Sequence, residues 1–339
     1  MPNATVKLIS DPEATRIFLW PYLRRSHPGI RGINRVDLHA LGSVQAGRGV
    51  VRMKVHTRAK KPAQRTLTLF GNYDTTGGSR MIAQVLAFLE RHGFGRGPYG
   101  APQPLLYSDT YKLLVYESFP GLRVRDEIEA GRLSTRGLLS VMRQSAVWLK
   151  KFHRLPPNVG HPKNLRLSPN FFVNLTRGHR QVIVAALPFI NRELARPGQR
   201  SLVHGDPHLA NCIRGKQRSF AFIDFSESYI GSSAADIGMY LVHLDVALQP
   251  FFTRGVIARA QRLFIESYYD RPIAKLDQAT RRAILTYEIR TAALFLRFTS
   301  DHHRQPAPQV AWMIQHFVNI ISRGTDELRR DLPQPILAS

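Results

Sequence analysis

Cysteine is almost absent from this chain of 339 residues, which contains only Cys212. A single thiol excludes an intramolecular disulfide framework, so a reducing compartment is the simpler expectation. Long apolar runs are also missing, because no stretch approaches the roughly 18 apolar residues that a membrane span needs. The sequence begins Met-Pro-Asn-Ala-Thr-Val-Lys, without the apolar segment of a secretory signal. These absences predict a cytoplasmic protein with an ordinary hydrophobic core.

Acidic residues are scarce as well, since 24 Asp and Glu stand against 48 Lys and Arg, a formal net charge of +24. The excess is uneven: residues 1–200 hold 32 basic and 11 acidic residues, whereas residues 201–339 hold 16 and 13. Such a charge attracts nucleotides, acidic lipid headgroups or nucleic acid. Aromatic residues do not alternate with the basic ones as a base-stacking surface requires. A solvated basic surface and a polyanion- or membrane-surface-binding site therefore both stay open.

The periodicity of apolar residues predicts different structures for the two parts of the chain. The first part predicts a capped helix at 11–25 that is interrupted near Pro21, strands at 34–46, 50–58 and 65–73, and a helix at 79–92. The second part predicts mainly helices, at residues 134–154, 170–195, 235–248, 255–269, 278–298 and 308–322. We therefore predict an α+β protein with a small lobe in residues 1–116 and a helical lobe in residues 117–339, since 339 residues exceed one typical core.

The segment with the strongest chemical signal is residues 204–211, His-Gly-Asp-Pro-His-Leu-Ala-Asn. Its glycine and proline indicate a loop, which carries Asp206 and Asn211 five positions apart. A short apolar strand then ends in Ile223-Asp224-Phe225. One carboxylate for a substrate hydroxyl, followed by an amide and a second carboxylate for magnesium, is the set of groups that phosphoryl transfer needs. Asp206 is the candidate catalytic residue, and Asn211 and Asp224 are the candidate metal ligands.

These motifs resemble the aminoglycoside-phosphotransferase and small-molecule kinase branch of the protein-kinase-like fold. In that branch the catalytic loop commonly reads His-Gly-Asp, the metal segment commonly reads Ile-Asp-Phe, and a further Asp begins the next helix, as Asp236 does in Ala235-Asp236-Ile237-Gly238. The resemblance implies a bilobal fold with an antiparallel-sheet N-lobe and a larger helical C-lobe. It also implies that ATP and Mg²⁺ are the cofactors and that a small-molecule hydroxyl is the acceptor.

The resemblance assigns roles to several further residues. It implies that His204 braces the catalytic loop and that Asp236 accepts backbone N–H groups from that loop. The segment 112–121 takes the position of the hinge, where backbone groups near Glu117 to Phe119 are expected to hydrogen-bond adenine.

The N-lobe departs from the family pattern at its phosphate-anchoring pair. A kinase-like lobe carries a Lys on the third strand and a Glu on the next helix. This third strand instead reads Leu-Phe-Gly-Asn-Tyr at 69–73, and the helix offers Ile82 and Gln84 where the acid belongs. Lys54 or Arg52 on the neighbouring strand is the candidate replacement. The glycines of residues 42–49 are either a phosphate-covering turn or a plain hairpin loop.

Three functions remain open from these observations. The first is an ATP-dependent phosphotransferase acting on a sugar, amino alcohol or aminoglycoside-like acceptor, for which Glu227 is a candidate contact to a cationic substrate. The second is a catalytically silent, kinase-like protein that binds nucleotide or a partner, which the missing Lys and Glu favour. The third is a basic polyanion- or membrane-binding protein, for which a steep salt dependence of binding is expected.

Overall fold

The computed structural model describes residues 4–41, 47–59, 65–95, 97–196, 200–302 and 308–330. Its helices, in chain order, are α1 (Ala4–Ser10), α2 (Pro12–Ser26), α3 (Gly78–Leu89), α4 (Val124–Glu129), α5 (Thr135–His153), α6 (Arg177–Leu194), α7 (Ala234–Leu248), α8 (Arg254–Tyr269), α9 (Gln278–His302) and α10 (Pro308–Arg330). Its strands are β1 (Ile30–Leu41), β2 (Arg48–Ala59), β3 (Arg65–Asp74), β4 (Tyr99–Gly100), β5 (Gln103–Ser108), β6 (Leu113–Glu117), β7 (Leu122–Arg123), β8 (Ser201–Val203), β9 (Cys212–Arg214), β10 (Phe220–Phe222) and β11 (Tyr229–Gly231).

The chain divides into two compact units. The first contains residues 1–121 and 213–228, and the second contains residues 122–212 and 229–339. The first holds an antiparallel sheet in the order β1-β2-β3-β6-β5. The second is mainly helical. This composition confirms the predicted α+β class, with the antiparallel sheet in the N-terminal part and the helices in the C-terminal part.

The five-stranded sheet separates its side chains by the alternation of strand residues. Val51, Met53 and Val55 of β2 and Leu69 of β3 point into a buried core, which also takes up residues of α1 and α2. Arg52 on β2 pairs in register with Phe70 on β3, and Phe70 pairs with Tyr116 on β6, so these three share the opposite face. The register therefore places the apolar and the polar side chains of β2 on different sides of the sheet.

The N-terminal helix is continuous, and the predicted interruption near Pro21 is wrong. Asp11 caps α2, because its carboxylate accepts hydrogen bonds from the backbone N–H groups of Glu13 and Ala14. Pro21 lies inside the helix and removes one backbone donor. Leu19 and Leu23 on either side of it are fully buried in the core of the first unit, and their burial stabilises the helix across the proline.

Among the helix boundaries that differ from the sequence pattern, the start of α6 and the end of α10 have clear local causes. α6 begins at Arg177 rather than 170, because Pro169–Phe172 forms a separate 3-10 turn and the Thr176 hydroxyl caps the helix. α10 continues beyond 322 to Arg330 through Gly324, where an added Cβ would lie 2.7 Å from a side-chain atom of Ile289. This glycine therefore permits close packing of α10 on α9 and does not end the helix.

None of the helices in the described ranges combines the length and the apolar content needed to cross a membrane. One hydrophobic cluster of the second unit is formed mainly by α6, α7, α9 and α10. Most of the glycine-rich segment, residues 42–46, lies outside the described residues.

Candidate active site

The loop that follows β8 carries the candidate catalytic residue. Gly205 has a φ of +86°, a backbone conformation that a glycine adopts without strain. Asp206 comes next, and the side-chain Nδ2 of Asn211 donates to the Asp206 carbonyl oxygen at 3.0 Å and to its carboxylate at 3.4 Å. The Asn211 amide oxygen has no hydrogen-bond partner among the described residues. The loop thus presents one carboxylate and one free amide oxygen within one short segment.

Asp236, at the start of α7, binds the backbone of this loop. Its fully buried carboxylate accepts the backbone N–H of His204 at 2.8 Å and the backbone N–H of Gly205 at 2.9 Å. The His153 Nε2 lies 2.8 Å from the same carboxylate, and the His153 Nδ1 lies 2.8 Å from the Tyr268 hydroxyl. Because a buried carboxylate needs several donors, these contacts fix the position of the loop backbone.

The His204 ring is fully buried. Its Nδ1 accepts the Asp206 backbone N–H at 3.4 Å, and its ring packs near Trp148 and Phe152. The structural role that the sequence predicts for His204 stays a prediction. These contacts to the loop backbone and to two aromatic rings agree with such a role.

Two further histidines flank Asp206. The His208 Nε2 lies 3.3 Å from one carboxylate oxygen, and the His243 Nε2 lies 3.9 Å from the other. Burial tends to raise the pKa of Asp206, but the hydrogen bond from His208 and the neighbouring imidazoles outweigh it and lower the pKa. Asp206 is therefore ionised near neutral pH and acts as a hydrogen-bond acceptor.

His243 is mostly buried and packs edge-on against Phe295 at 4.5 Å between ring centroids. Burial, followed by the charge of His208, lowers its pKa to about 3. At neutral pH the ring is thus uncharged, with one nitrogen able to donate and the other able to accept. His243 therefore places a neutral polar group beside the Asp206 carboxylate.

The candidate metal residue of the first unit follows β10 directly. Asp224 is exposed and has a φ of +64°, a left-handed conformation that is uncommon outside glycine. Its Oδ1 accepts the backbone N–H of Ser226 at 3.3 Å and the Ser226 hydroxyl at 2.7 Å. Its other oxygen has no partner among the described residues. The side chain of Asp224, just after β10, therefore has one carboxylate oxygen without a partner in the described part of the chain.

The polar face of the sheet carries both candidate phosphate anchors. Phe70 and Tyr116 stack on that face at 5.7 Å, and burial together with the nearby Asp224 charge raises the pKa of Tyr116. The Arg52 Nε is buried and makes no hydrogen bond within the described part of the chain, whereas Lys54 is exposed. A buried guanidinium nitrogen without a partner is costly unless a ligand supplies an acceptor.

A neutral contact links β3 to α3. Asn72 of β3 accepts a hydrogen bond from the Ser79 hydroxyl of α3 at 3.0 Å. Asn72 lies on the same sheet face as Phe70, two positions along the strand. The link between strand and helix therefore exists in this chain but carries no charge.

The predicted hinge segment, residues 112–121, contains β6 and the residues that follow it. The Glu117 carboxylate pairs with the His27 Nε2 at 3.2 Å, and the Phe119 ring covers Gly100. The Ser118 backbone N–H donates to the Thr68 carbonyl at 3.1 Å. The Phe119 backbone N–H has no hydrogen bond within the described residues, so it is available to a ligand.

Sequence reasoning did not identify His153, His243 or Tyr268 as site residues. His153 and Tyr268 lie on the buried faces of long amphipathic helices, where a lone polar residue carries no signal of its partner. Cys212, adjacent to Asn211, is buried, and burial raises the pKa of its thiol. This thiol is therefore inert, and no cluster of three metal-binding side chains occurs in the described ranges.

Comparison with known proteins gives one family match and several structural matches. Residues 59–272 match the APH family, described as the phosphotransferase enzyme family. No curated protein sequence matches the chain. A choline/ethanolamine kinase family protein from Mesorhizobium loti has a TM-score of 0.58 at 14% identity, with 96% of this chain and 98% of that chain covered.

Two further solved structures are similar to about the same extent. The amicoumacin kinase hAmiN, whose structure holds AMP-PNP, Ca²⁺ and Ami, has a TM-score of 0.57 at 14% identity, with 84% of this chain and 88% of that chain covered. The aminoglycoside phosphotransferase APH(4)-Ia, in a thermostable mutant, has a TM-score of 0.56 at 14% identity, with 90% and 98% covered. At such low identity these matches establish the fold.

Proposed function

Because the chain belongs to the phosphotransferase enzyme family, we propose that it transfers the γ-phosphate of ATP to a hydroxyl group of a small molecule. The observation that carries this proposal is the ionised Asp206 carboxylate on a loop fixed by Asn211 and Asp236. Asp206 accepts a hydrogen bond from the acceptor hydroxyl and orients its lone pair toward phosphorus. The hydroxyl proton is received at a carboxylate oxygen of Asp206 as the new oxygen–phosphorus bond forms and the bond between the γ-phosphorus and the β,γ-bridging oxygen breaks, which releases ADP.

The metal roles fall to Asn211 and Asp224. Mg²⁺ prefers hard oxygen ligands, and each of these residues has an oxygen without a partner among the described residues. When bound, the metal neutralises charge on the phosphate oxygens.

Arg52 is the better of the two candidate phosphate anchors. It shares a sheet face with Tyr116, whose pKa responds to the Asp224 charge, and its buried Nε lacks a partner within the described residues. Lys54 is exposed two residues further along the same face. We assign adenine binding to backbone groups at Glu117 and Phe119, of which the Phe119 N–H is unpaired.

The groups beside Asp206 suggest an acceptor that is rich in hydroxyl groups. The neutral His243 ring can donate or accept one hydrogen bond, and Phe295 supplies an apolar wall beside it. A sugar or another polyol offers further hydroxyls for such a ring. The choline-, ethanolamine- and antibiotic-kinase neighbours indicate the range of acceptor classes to screen.

The test is ADP release with ATP and Mg²⁺ across panels of sugars, amino alcohols and aminoglycosides. Asp206→Asn should lower kcat by roughly 10²–10⁴-fold, because the acceptor loses its base and its orienting group. The affinity for ATP should stay within a few-fold of wild type. Asp126→Asn, an exposed site on α4, is the matched control and should leave both unchanged. Turnover that survives Asp206→Asn refutes the assignment.

A catalytically silent nucleotide-binding protein is the second candidate, and the neutral Asn72–Ser79 contact favours it. In that case Mg²⁺ and ATP should raise the melting temperature while no acceptor is phosphorylated. Asp224→Ala should remove the metal-dependent part of the increase under either candidate, so turnover separates the two.

A further inference from the structure

A cavity lies within the helical unit, among α7, α8, α9 and α10. Its volume is about 430 Å³, which is within the usual range for small-ligand sites. Residues of all four helices line it, and three of these residues are acidic: Asp245, Glu288 and Glu327. The cavity is thus enclosed by one compact unit and does not depend on the sheet.

The cavity differs from the site around Asp206. His243 of α7 points toward Asp206 and does not line the cavity, whereas Asp245, two residues later, does. Two residues correspond to about 200° of rotation around an α-helix, so the two side chains project from nearly opposite faces. The same helix therefore separates the Asp206 side from the cavity.

One wall of the cavity is polar, and its acidic side chain has hydrogen-bond partners within the chain. The Asp245 carboxylate accepts a hydrogen bond from the Gln261 side-chain amide at 2.9 Å and contacts the His316 Nε2 at 3.2 Å. The Trp312 ring stacks on the His316 ring at 4.9 Å with an interplanar angle of 10°. These contacts hold an acid and an aromatic surface at fixed positions.

Glu288 is not satisfied in this way. Its residue is only 8% exposed, yet its carboxylate lines the cavity and makes no hydrogen bond within the described part of the chain. Burial, followed by the charges of Asp245 and Glu327, raises the pKa of Glu288 well above its ordinary range. A largely buried carboxylate that faces a cavity and receives no donor from the described residues is a favourable partner for a ligand that brings N–H donors.

The helices around the cavity pack closely on α9. A Cβ added at Gly238 of α7 would lie 2.7 Å from the Glu288 backbone nitrogen, and one added at Gly324 of α10 would lie 2.7 Å from Ile289. Both helices therefore approach α9 closely on either side of Glu288. The cavity wall cannot easily collapse onto the carboxylate, so the site is preformed.

We propose that this cavity binds a small organic cation that carries a primary ammonium group, with Glu288 as its ion-pair partner. An ammonium supplies three N–H donors to the unpaired carboxylate, and its charge relieves the repulsion among the three acids. The aromatic face of Trp312 offers a surface for the alkyl part or a second ammonium. A bound metal is a poorer fit, because no cluster of three metal-binding side chains occurs in the described ranges.

The cavity also contains Arg254 and Arg323, which are exposed and line its outer part. They make an anionic ligand the competing occupant. Three probes of equal chain length distinguish the two: 1,4-diaminobutane is cationic, 1,4-butanediol is neutral and succinate is anionic. Isothermal titration calorimetry and thermal shift on the full chain measure their binding without any phosphotransfer.

We expect 1,4-diaminobutane to bind and to raise the melting temperature, and 1,4-butanediol to bind at least tenfold more weakly. Glu288→Gln should weaken diamine binding by at least tenfold, because it keeps the shape of the side chain and removes its charge. Glu129→Gln, an exposed glutamate on α4, makes the same charge change outside the cavity and should leave binding unchanged.

Ala258→Phe is a second variant, in which a larger side chain fills part of the cavity without changing its charge. This variant should abolish binding of the diamine. Binding of succinate in preference to the diamine would overturn the proposal. The same conclusion follows if none of the probes binds, or if diamine binding is unaffected by both cavity variants.

Discussion

Replacement of Asp236 by alanine should destabilise the protein strongly. The carboxylate is fully buried and accepts backbone N–H groups of His204 and Gly205 as well as a contact from His153. Each hydrogen bond to a charged group contributes about 1.5–3 kcal/mol, but neighbouring bonds are not additive. Removal of one member of a buried charged network costs about 3–5 kcal/mol, and we expect Asp236→Ala to fall in that range.

The measurement is urea unfolding followed by far-UV circular dichroism. Asp126→Ala is the control, because Asp126 is exposed on α4, and it should change the free energy of unfolding by less than about 0.5 kcal/mol. His153→Ala and the double variant with Asp236→Ala complete a cycle, in which the double variant should lose less than the sum of the single variants. If the Asp236→Ala variant is as stable as the Asp126→Ala control, Asp236 does not stabilise the catalytic loop in the way described.

Three further predictions concern other parts of the chain. Arg52→Ala should weaken ATP binding by roughly tenfold to one-hundredfold, since a charge-assisted hydrogen bond contributes about 1.5–3 kcal/mol. Lys54→Ala should weaken ATP binding less. Equal effects of the two variants in calorimetry would contradict the choice of Arg52. Glu288 has a raised pKa in the folded state, so the stability associated with its neutral form is present below the ordinary value of 4.5 and is lost as pH rises through the raised pKa. Glu288→Gln should therefore raise the melting temperature at neutral pH relative to wild type, with little difference near pH 4. Gly324→Ala should destabilise by about 1–3 kcal/mol because its Cβ meets Ile289, while Gly178→Ala on α6, which meets no atom within 4 Å, should stabilise slightly in the same urea experiment.

Local chemistry explains why parts of the fold and of the site could be predicted from the sequence. Gly205 permits a left-handed backbone conformation, and Pro207 fixes its own φ angle. Both properties indicate a loop whatever surrounds these residues. The alternation of residues 50–58 likewise predicts a strand, because one face of that sheet is buried. These signals need only neighbours along the chain.

The remaining features depend on contacts between distant residues. His153 is 83 positions from Asp236, and its helical periodicity predicts burial but no partner. The different burial of Arg52 and Lys54 is also a property of the structure, because the sequence places both side chains on the same face of β2. Glu288 gave no signal for the same reason, since its lack of a partner is a property of four packed helices.

The burial of Cys212 has a practical consequence. It is the one cysteine in the sequence, its thiol is enclosed, and its raised pKa keeps it in the unreactive protonated form. A cysteine introduced at an exposed position such as Lys54 or Glu129 therefore becomes a unique attachment point for a fluorophore or spin label. The natural chain thus serves directly as the background for spectroscopic distance measurements, without prior removal of a native thiol.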